Sequence, residues 1–124
     1  MVPHDEAWPA EDWLAGKLGL GVEPVGAWWL VRLRGDLDVV TAPLLVERVG
    51  RLIEPHAATP VALETSQLLF CDSSGLNALV RLWKRAAAAS GRLVLVQPTA
   101  RLVDALAVTG LDRFLQVHGT LPDA

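Results

Sequence analysis

Strand-like apolar runs alternate with amphipathic helical segments along most of this chain. Residues 93–96 are apolar without interruption, as strands buried on both faces are, and we expect them at the centre of a sheet. On both sides of this run, apolar residues recur at intervals of three and four, which indicates helices packed against the sheet. Strands connected through helices need crossover connections and form parallel or mixed sheets. The pattern therefore predicts an α/β fold.

A β-hairpin is predicted at the start of the domain. Residues 18–22 and 27–34 have strand-like patterns, and the proline and glycine between them favour a turn. The Trp28–Trp29 pair should split between the two faces of its strand. Residues 1–16 have no regular period, so we expect an N-terminal extension there and one domain over residues 17–124.

Three helices and three further strands are predicted after the hairpin, in the order ββαβαβαβ. Thr41 is a candidate N-cap of the first helix, Asp72-Ser73-Ser74-Gly75 begins the second, and the third runs from Thr99 to Gly110. The strands are expected around residues 61–63, 92–97 and 114–118. The positions expected to face inward on the helices are Leu45, Val49, Leu52 and Ile53; Leu76, Leu79, Val80, Trp83, Ala86 and Ala87; and Leu102, Val103, Leu106 and Ala107.

Charge and cysteine content argue against several functional classes. The net charge of −3 provides no attraction to nucleic acid or to anionic lipid, so we expect no nucleic-acid partner. Cys71 is the single cysteine; it cannot form an internal disulfide, and we expect it to behave as a small buried apolar residue. No apolar stretch is long enough for a membrane span, and the acidic N-terminus does not resemble a secretory signal. These features predict a cytoplasmic protein.

Motifs for common enzymatic chemistries are missing. The chain has no phosphate loop, and Gly19-x-Gly21 lacks the third glycine and the following helix of a dinucleotide site. Three histidines, His4, His56 and His118, are isolated, and none has a second potential ligand at the spacing that a zinc site requires. The serine motif is not the Gly-x-Ser-x-Gly elbow of hydrolases. We therefore expect no catalytic residue, no cofactor and no metal ion.

The most informative feature is the pair Ser73 and Ser74 at the predicted start of the second helix. The first turn of a helix presents unpaired N–H groups and a partial positive charge. Asp72 or one of the serines could act only as a helix cap. Alternatively, a serine hydroxyl at this position is accessible to a modifying enzyme. Spacing alone leaves both interpretations open.

Two motifs together resemble the STAS domain of bacterial anti-sigma factor antagonists. They are Gly35-Asp36-Leu37-Asp38 with Thr41-Ala42, and Asp72-Ser73-Ser74-Gly75-Leu76. The resemblance covers roughly residues 18–119 and implies a single domain, with a small mixed sheet and helices packed mainly on one side. This chain has Asp36 where the family often has glutamate, and Glu64 near the position of a family aspartate.

The resemblance also implies a function. Ser73 corresponds to the serine that is phosphorylated by a partner that is both a serine kinase and an anti-sigma factor. In that scheme the unphosphorylated protein captures the anti-sigma factor and releases a sigma factor, phosphorylation prevents binding, and a serine phosphatase restores it. The residues expected to form the docking surface are Asp36, Asp38, Thr41, Asp72, Ser74, Asn77 and Arg81.

Two alternatives remain at this stage. The chain could be a STAS scaffold that binds its partner constitutively, in a stress-signalling or lipid-transport complex, with Ser73 serving only as a helix cap. It could instead be a small α/β enzyme, which would require a deep pocket containing a titratable pair with perturbed pKa values.

Overall fold

The computed structural model describes residues 12–54 and 58–122, which form an α/β fold of one sheet and three helices. Most of the predicted N-terminal extension, together with His4 and His56, lies outside these residues. The strands are β1 (Asp12–Leu14), β2 (Leu18–Val25), β3 (Trp28–Leu37), β4 (Pro60–Cys71), β5 (Arg92–Val96) and β6 (Gln116–His118). The helices are α1 (Thr41–Ile53), α2 (Ser73–Ala88) and α3 (Ala100–Thr109), followed by a 3-10 turn at Leu111–Arg113.

The six strands form one mixed sheet in the order β1-β2-β3-β4-β5-β6. The pairs β1/β2 and β2/β3 are antiparallel, whereas β3/β4, β4/β5 and β5/β6 are parallel. The predicted hairpin is confirmed as β2–β3. Strand β1 was not predicted, because three residues are too few to show a period, although Leu14 is buried in the core. None of the helices in the described ranges is long and apolar enough to cross a lipid bilayer.

All three helices contribute to a core on one face of the sheet, as the resemblance implied. The largest fully buried side chains there include Leu33, Leu45, Leu63, Leu79 and Leu95. Burial of such side chains is the main favourable contribution to the free energy of folding. This core fixes the relative positions of the strand ends and helix starts that carry the two sequence motifs.

The opposite face of the sheet carries a smaller apolar cluster that includes Trp28 and Val94. Leu121 packs against this cluster, and the indole N–H of Trp28 donates to the carbonyl of Pro122 at 2.8 Å. Trp29 packs against the main core instead, so the predicted split of the two tryptophans is confirmed. The C-terminal segment therefore covers part of the face that has no helices.

Predictions about position were wrong in three elements. Strand β5 is buried but lies next to the edge strand β6, and the centre of the sheet is formed by β3 and β4. On α2, Ala87 is exposed while Ala78 and Leu82 are buried, because α2 packs against α1 as well as against the sheet. On α3, Val103 and Ala107 are exposed, since this helix contacts mainly the 3-10 turn that follows it.

Candidate functional site

The ends of β3 and β4 bring the two motifs together. Leu37 and Cys71 are paired across the parallel strands, and the N–H of Asp72 donates to the carbonyl of Leu37 at 3.3 Å. Carboxyl ends of neighbouring parallel strands lie at the same edge of a sheet, where α/β proteins commonly bind their ligands. The loop before α1 and the first turn of α2 are therefore neighbours.

Asp38 and Thr41 form a hydrogen-bonded loop at the start of α1. The Asp38 carboxylate accepts the N–H groups of Val40 at 2.9 Å and Thr41 at 3.1 Å. The Thr41 hydroxyl accepts the N–H of Asp38 at 2.9 Å and donates to the carbonyl of Asp36 at 2.8 Å. Asp38 is 8% exposed and Thr41 is fully buried. The prediction of Thr41 as N-cap was wrong, because Thr41 is already the first residue of α1 and its hydroxyl bonds back toward β3, while the Asp38 carboxylate accepts the N–H groups of this turn.

Lys17 stabilises this loop through a side-chain contact that the sequence did not reveal. Its ammonium donates to the Asp38 carboxylate, and this hydrogen bond, together with those from Thr41 and Val40, lowers the pKa of Asp38 to about 2. The same hydrogen bond raises the pKa of Lys17, with further contributions from the charges of Asp38, Asp36 and Asp72. The chain has only two lysines, and this scarcity was the one sequence feature that could have drawn attention to Lys17.

Gly35 allows the backbone of Lys17 to approach β3. The residue has a φ of +105°, and a Cβ at this position would collide with the carbonyl of Lys17. That carbonyl instead accepts the N–H of Asp36 at 3.0 Å, beside a register shift between Gly35 and Asp36. A side chain is strained in this conformation and is excluded by the contact, so glycine is needed here.

Asp72 is the N-cap of α2. Its side chain accepts the N–H of Gly75 at 3.0 Å, and its carbonyl accepts the N–H of Leu76 at 2.9 Å. Ser73 is exposed and Ser74 is half-buried. Neither serine hydroxyl makes a hydrogen bond with any part of residues 12–54 or 58–122. The cap is thus provided by Asp72 rather than by a serine, and both hydroxyls are left free of that role.

Gly75 allows α2 to begin in direct contact with the strand ends. A Cβ here would lie 2.6 Å from the carbonyl oxygen of Leu37 and 2.7 Å from the sulfur of Cys71. Burial raises the pKa of the Cys71 thiol to about 12, with a smaller contribution from the charge of Asp72. The thiol is therefore protonated at neutral pH, which agrees with an apolar packing role. The glycine of the serine motif is thus required by packing.

A groove separates the first turn of α1 from the first two turns of α2. Three predicted docking residues, Ser74, Asn77 and Arg81, line the α2 side of this groove. The remaining lining residues are Val39, Ala42, Pro43 and Ala78. Asp36 and Asp72 lie outside the lining, at the ends of β3 and β4. These predicted docking residues therefore form two groups, one along the groove and one at the ends of β3 and β4.

Exposed apolar side chains lie next to both motifs along the chain, and the sequence did not predict them. Val39 is 70% exposed and Val40 is also exposed, directly after the Asp38 position. Leu69 and Phe70 are exposed at the end of β4, just before the serine motif. Exposed apolar residues grouped in this way are typical of protein interaction surfaces. In the sequence, only their position beside the two motifs could have indicated that they belong to the predicted docking surface.

The remaining candidates do not form a second site. Glu64 lies on β4 and accepts the N–H of Ser66 at 2.6 Å, within its own strand. In the described portion of the chain, no three histidine, cysteine, aspartate or glutamate side chains converge as a metal site would require. The surface beside Ser73 is an open groove between helices.

Comparisons with known proteins give consistent matches. A family model for the STAS domain matches residues 22–124. The anti-sigma-B factor antagonist of Bacillus subtilis (strain 168) is 30% identical over 87 residues, which is 70% of this chain and 78% of that protein.

Solved structures share the fold at lower identity. A crystal structure of an anti-sigma factor antagonist from Mycobacterium paratuberculosis has a TM-score of 0.74 at 22% identity, covering 89% of this chain and 92% of that chain. The phosphorylated form of the Bacillus cell fate determinant SpoIIAA has a TM-score of 0.63 at 23% identity, covering 79% of this chain and 89% of that chain.

Proposed function

We propose, because the chain belongs to the STAS domain family, that it acts as an anti-sigma factor antagonist. The unphosphorylated protein binds an anti-sigma factor that is also a serine kinase, and thereby releases a sigma factor. Phosphorylation of Ser73 by that kinase ends the interaction, and a serine phosphatase restores it. The relative from Bacillus subtilis, named for antagonism of an anti-sigma factor, supports this proposal.

One observation carries the assignment of Ser73 as the phosphorylated residue. Ser73 is exposed at the first position of α2, while Asp72 supplies the cap of the same helix. A kinase can therefore reach the hydroxyl without unfolding the helix start. If Ser73 were the cap, its hydroxyl oxygen would be engaged by a backbone N–H group.

The physical chemistry of a phosphate at Ser73 favours a switch in binding rather than a change in fold. The phosphate adds about −1.5 to −2 charges and three acceptor oxygens. The N-terminus of a helix accommodates an anion well, which offsets repulsion from Asp72. A partner that packs over Ser73 must instead desolvate this dianion or face it with unmatched groups, and the interface loses several kcal/mol.

The docking surface combines residues with two different roles. Asp38 and Thr41 are buried and hold the loop that presents Val39 and Val40. The side chains proposed to contact the partner are Asp36, Asp72, Ser74, Asn77 and Arg81. Under this proposal the loop supplies apolar contact area, and α2 supplies hydrogen-bonding groups beside the phosphorylated residue.

The chain is the phosphate acceptor in this scheme and performs no catalysis itself. The kinase supplies the nucleotide, the metal ion and the catalytic groups, whereas this chain supplies a positioned hydroxyl. The open groove that begins at Ser74, next to Ser73, supports this role, since an enzyme site usually encloses most of its substrate. We place the exchange of partners in the cytoplasm, where sigma factors and nucleotide-dependent kinases meet.

The proposal is tested by phosphorylation in vitro and intact-mass measurement. Each serine-kinase anti-sigma factor encoded by the same genome is incubated with ATP and the wild-type chain, Ser73→Ala or Ser74→Ala. We expect one of these kinases to add a single phosphate to wild type and to Ser74→Ala, and none to Ser73→Ala. Equal phosphorylation of Ser73→Ala, or no phosphorylation by any of the kinases, would contradict the proposal.

A further inference from the structure

We infer that the groove between α1 and α2 receives a segment of the anti-sigma factor that places an apolar side chain against Val39 and a carboxylate against Arg81. This inference rests on the proposed function and goes further, because it specifies the chemistry of the docking segment. It concerns the groove lining, not the phosphorylated hydroxyl.

The side chain of Val39 is apolar and exposed to water, and hydrogen bonds to Asp38 fix the backbone that carries it. It is 70% exposed, although the residues on both sides of it are fixed by the Asp38 carboxylate, which bonds to the N–H groups of Val40 and Thr41. Lys17 in turn holds that carboxylate. A side chain presented in this way loses little conformational entropy when a partner covers it, so the position suits an apolar contact.

Arg81 is the cation that the groove leaves unmatched. Its side chain is exposed, and within residues 12–54 and 58–122 it makes neither an ion pair nor a hydrogen bond. One turn later, Arg85 has an acidic neighbour in Glu54, at 3.6 Å, and lies beside Gly50. A guanidinium group binds carboxylates with two parallel hydrogen bonds, which makes a carboxylate the natural counterpart of Arg81.

The location of the groove indicates that its occupant is the same partner that phosphorylation displaces. The lining begins at Ser74, next to Ser73, and Asn77 lies one turn after Ser73 on the same helix. A segment lying along the groove from Arg81 to Ser74 therefore ends beside the phosphorylated hydroxyl. A partner bound there would meet a phosphate on Ser73 directly, which links occupation of the groove to the switch.

Charge and apolar contributions are separated by two variants with matched controls. Arg81→Glu is compared with Lys84→Glu, which makes the same charge change on the same helix outside the groove lining. Val39→Ser is compared with Val108→Ser, which removes a still more exposed valine, 87% against 70%, from α3. Affinity is measured by calorimetry against the anti-sigma factor that phosphorylates the chain, with thermal unfolding to verify the fold of each variant.

We expect Arg81→Glu and Val39→Ser each to weaken binding at least about tenfold, and each control to change it by less than about threefold. The effect of Arg81→Glu should shrink at high salt. Replacement of one partner glutamate or aspartate by arginine should restore affinity for Arg81→Glu. Restoration identifies the carboxylate that faces Arg81.

The outcomes distinguish this inference from the proposed function. If the wild-type chain binds and Ser73 is phosphorylated, but Arg81→Glu and Val39→Ser bind as their controls do, the groove inference is wrong and the proposed function stands. If Arg81→Glu changes the oligomeric state of the isolated chain instead, a second copy occupies the groove and the inference is also wrong. If no anti-sigma factor binds wild type, both proposals fail.

Discussion

Asp72 accepts the backbone N–H of Gly75 at 3.0 Å, and this hydrogen bond assigns different roles to neighbouring residues of the serine motif. Asp72 satisfies the helix start, and Gly75 lets the helix begin against the strand ends. Ser73, which lies between them, is exposed. The motif therefore contains two residues that fix the start of α2, Asp72 and Gly75, and the exposed serine that lies between them.

The cap predicts unequal effects of two neighbouring substitutions. Asp72→Ala should lower the free energy of unfolding by about 1 kcal/mol, because an N–H of the first turn loses its acceptor. Ser73→Ala should change it by less than about 0.5 kcal/mol, as exposed positions usually do. Urea denaturation followed by tryptophan fluorescence measures both values. Equal losses for the two variants would show that Ser73 shares the capping role.

Gly75 should not tolerate a side chain. Gly75→Ala places a Cβ within 2.7 Å of the Leu37 carbonyl and the Cys71 sulfur, so α2 must shift away from the strand ends. We expect a loss of about 1–3 kcal/mol in the free energy of unfolding, as for other overpacked sites. Gly119→Ala is the control, because a Cβ there meets no atom within 4 Å. A Gly75→Ala variant as stable as Gly119→Ala would contradict the packing argument.

A negative charge at Ser73 should leave the fold intact. We expect Ser73→Asp to keep the free energy of unfolding within about 1 kcal/mol of wild type, because the helix N-terminus favours an anion and Asp72 opposes it. Chemical denaturation and the near-ultraviolet circular dichroism of the tryptophans provide the comparison. Extensive unfolding of Ser73→Asp would mean that the residue is not accessible in the way described.

The Lys17–Asp38 pair predicts a pH dependence. The folded protein holds the pKa of Asp38 at about 2, below its ordinary 3.8, so this group contributes stability above pH 3.8 that is lost as the pH falls toward 2. The pKa of Lys17 is raised above its ordinary 10.5, so its contribution is present below pH 10.5 and is lost at higher pH. The stability difference between wild type and Asp38→Asn should therefore shrink as the pH falls from about 4 to about 2.

The same pair allows a direct measurement of the pKa of Asp38. Lys17→Met removes the largest cause of the lowered value, so a carboxyl titration by NMR should show the pKa of Asp38 moving up toward 3.8. Lys84→Met removes the other lysine and should leave the value unchanged. A low pKa that persists in Lys17→Met would mean that the backbone N–H groups of Thr41 and Val40 suffice.

The sequence predicted the order of elements from β2 onward and the position of both motifs at helix starts, because hydrophobic period and helix-start residues are local signals. The contact between Lys17 and Asp38 was not predictable in this way, since it depends on the register of β2 against β3 and on the backbone of Gly35. The exposure of Val39 was missed for a related reason. An apolar residue is assigned to the core by default, and only the packing of the assembled loop shows that it faces outward.

The most direct test of the central claim is the affinity of the anti-sigma factor for the unphosphorylated chain and for the chain phosphorylated only at Ser73, verified by mass. A loss of about 4 kcal/mol of binding free energy corresponds to about a thousandfold weaker affinity, and we expect a change of this order. Equal affinities for the two forms would contradict the proposal that Ser73 controls partner binding.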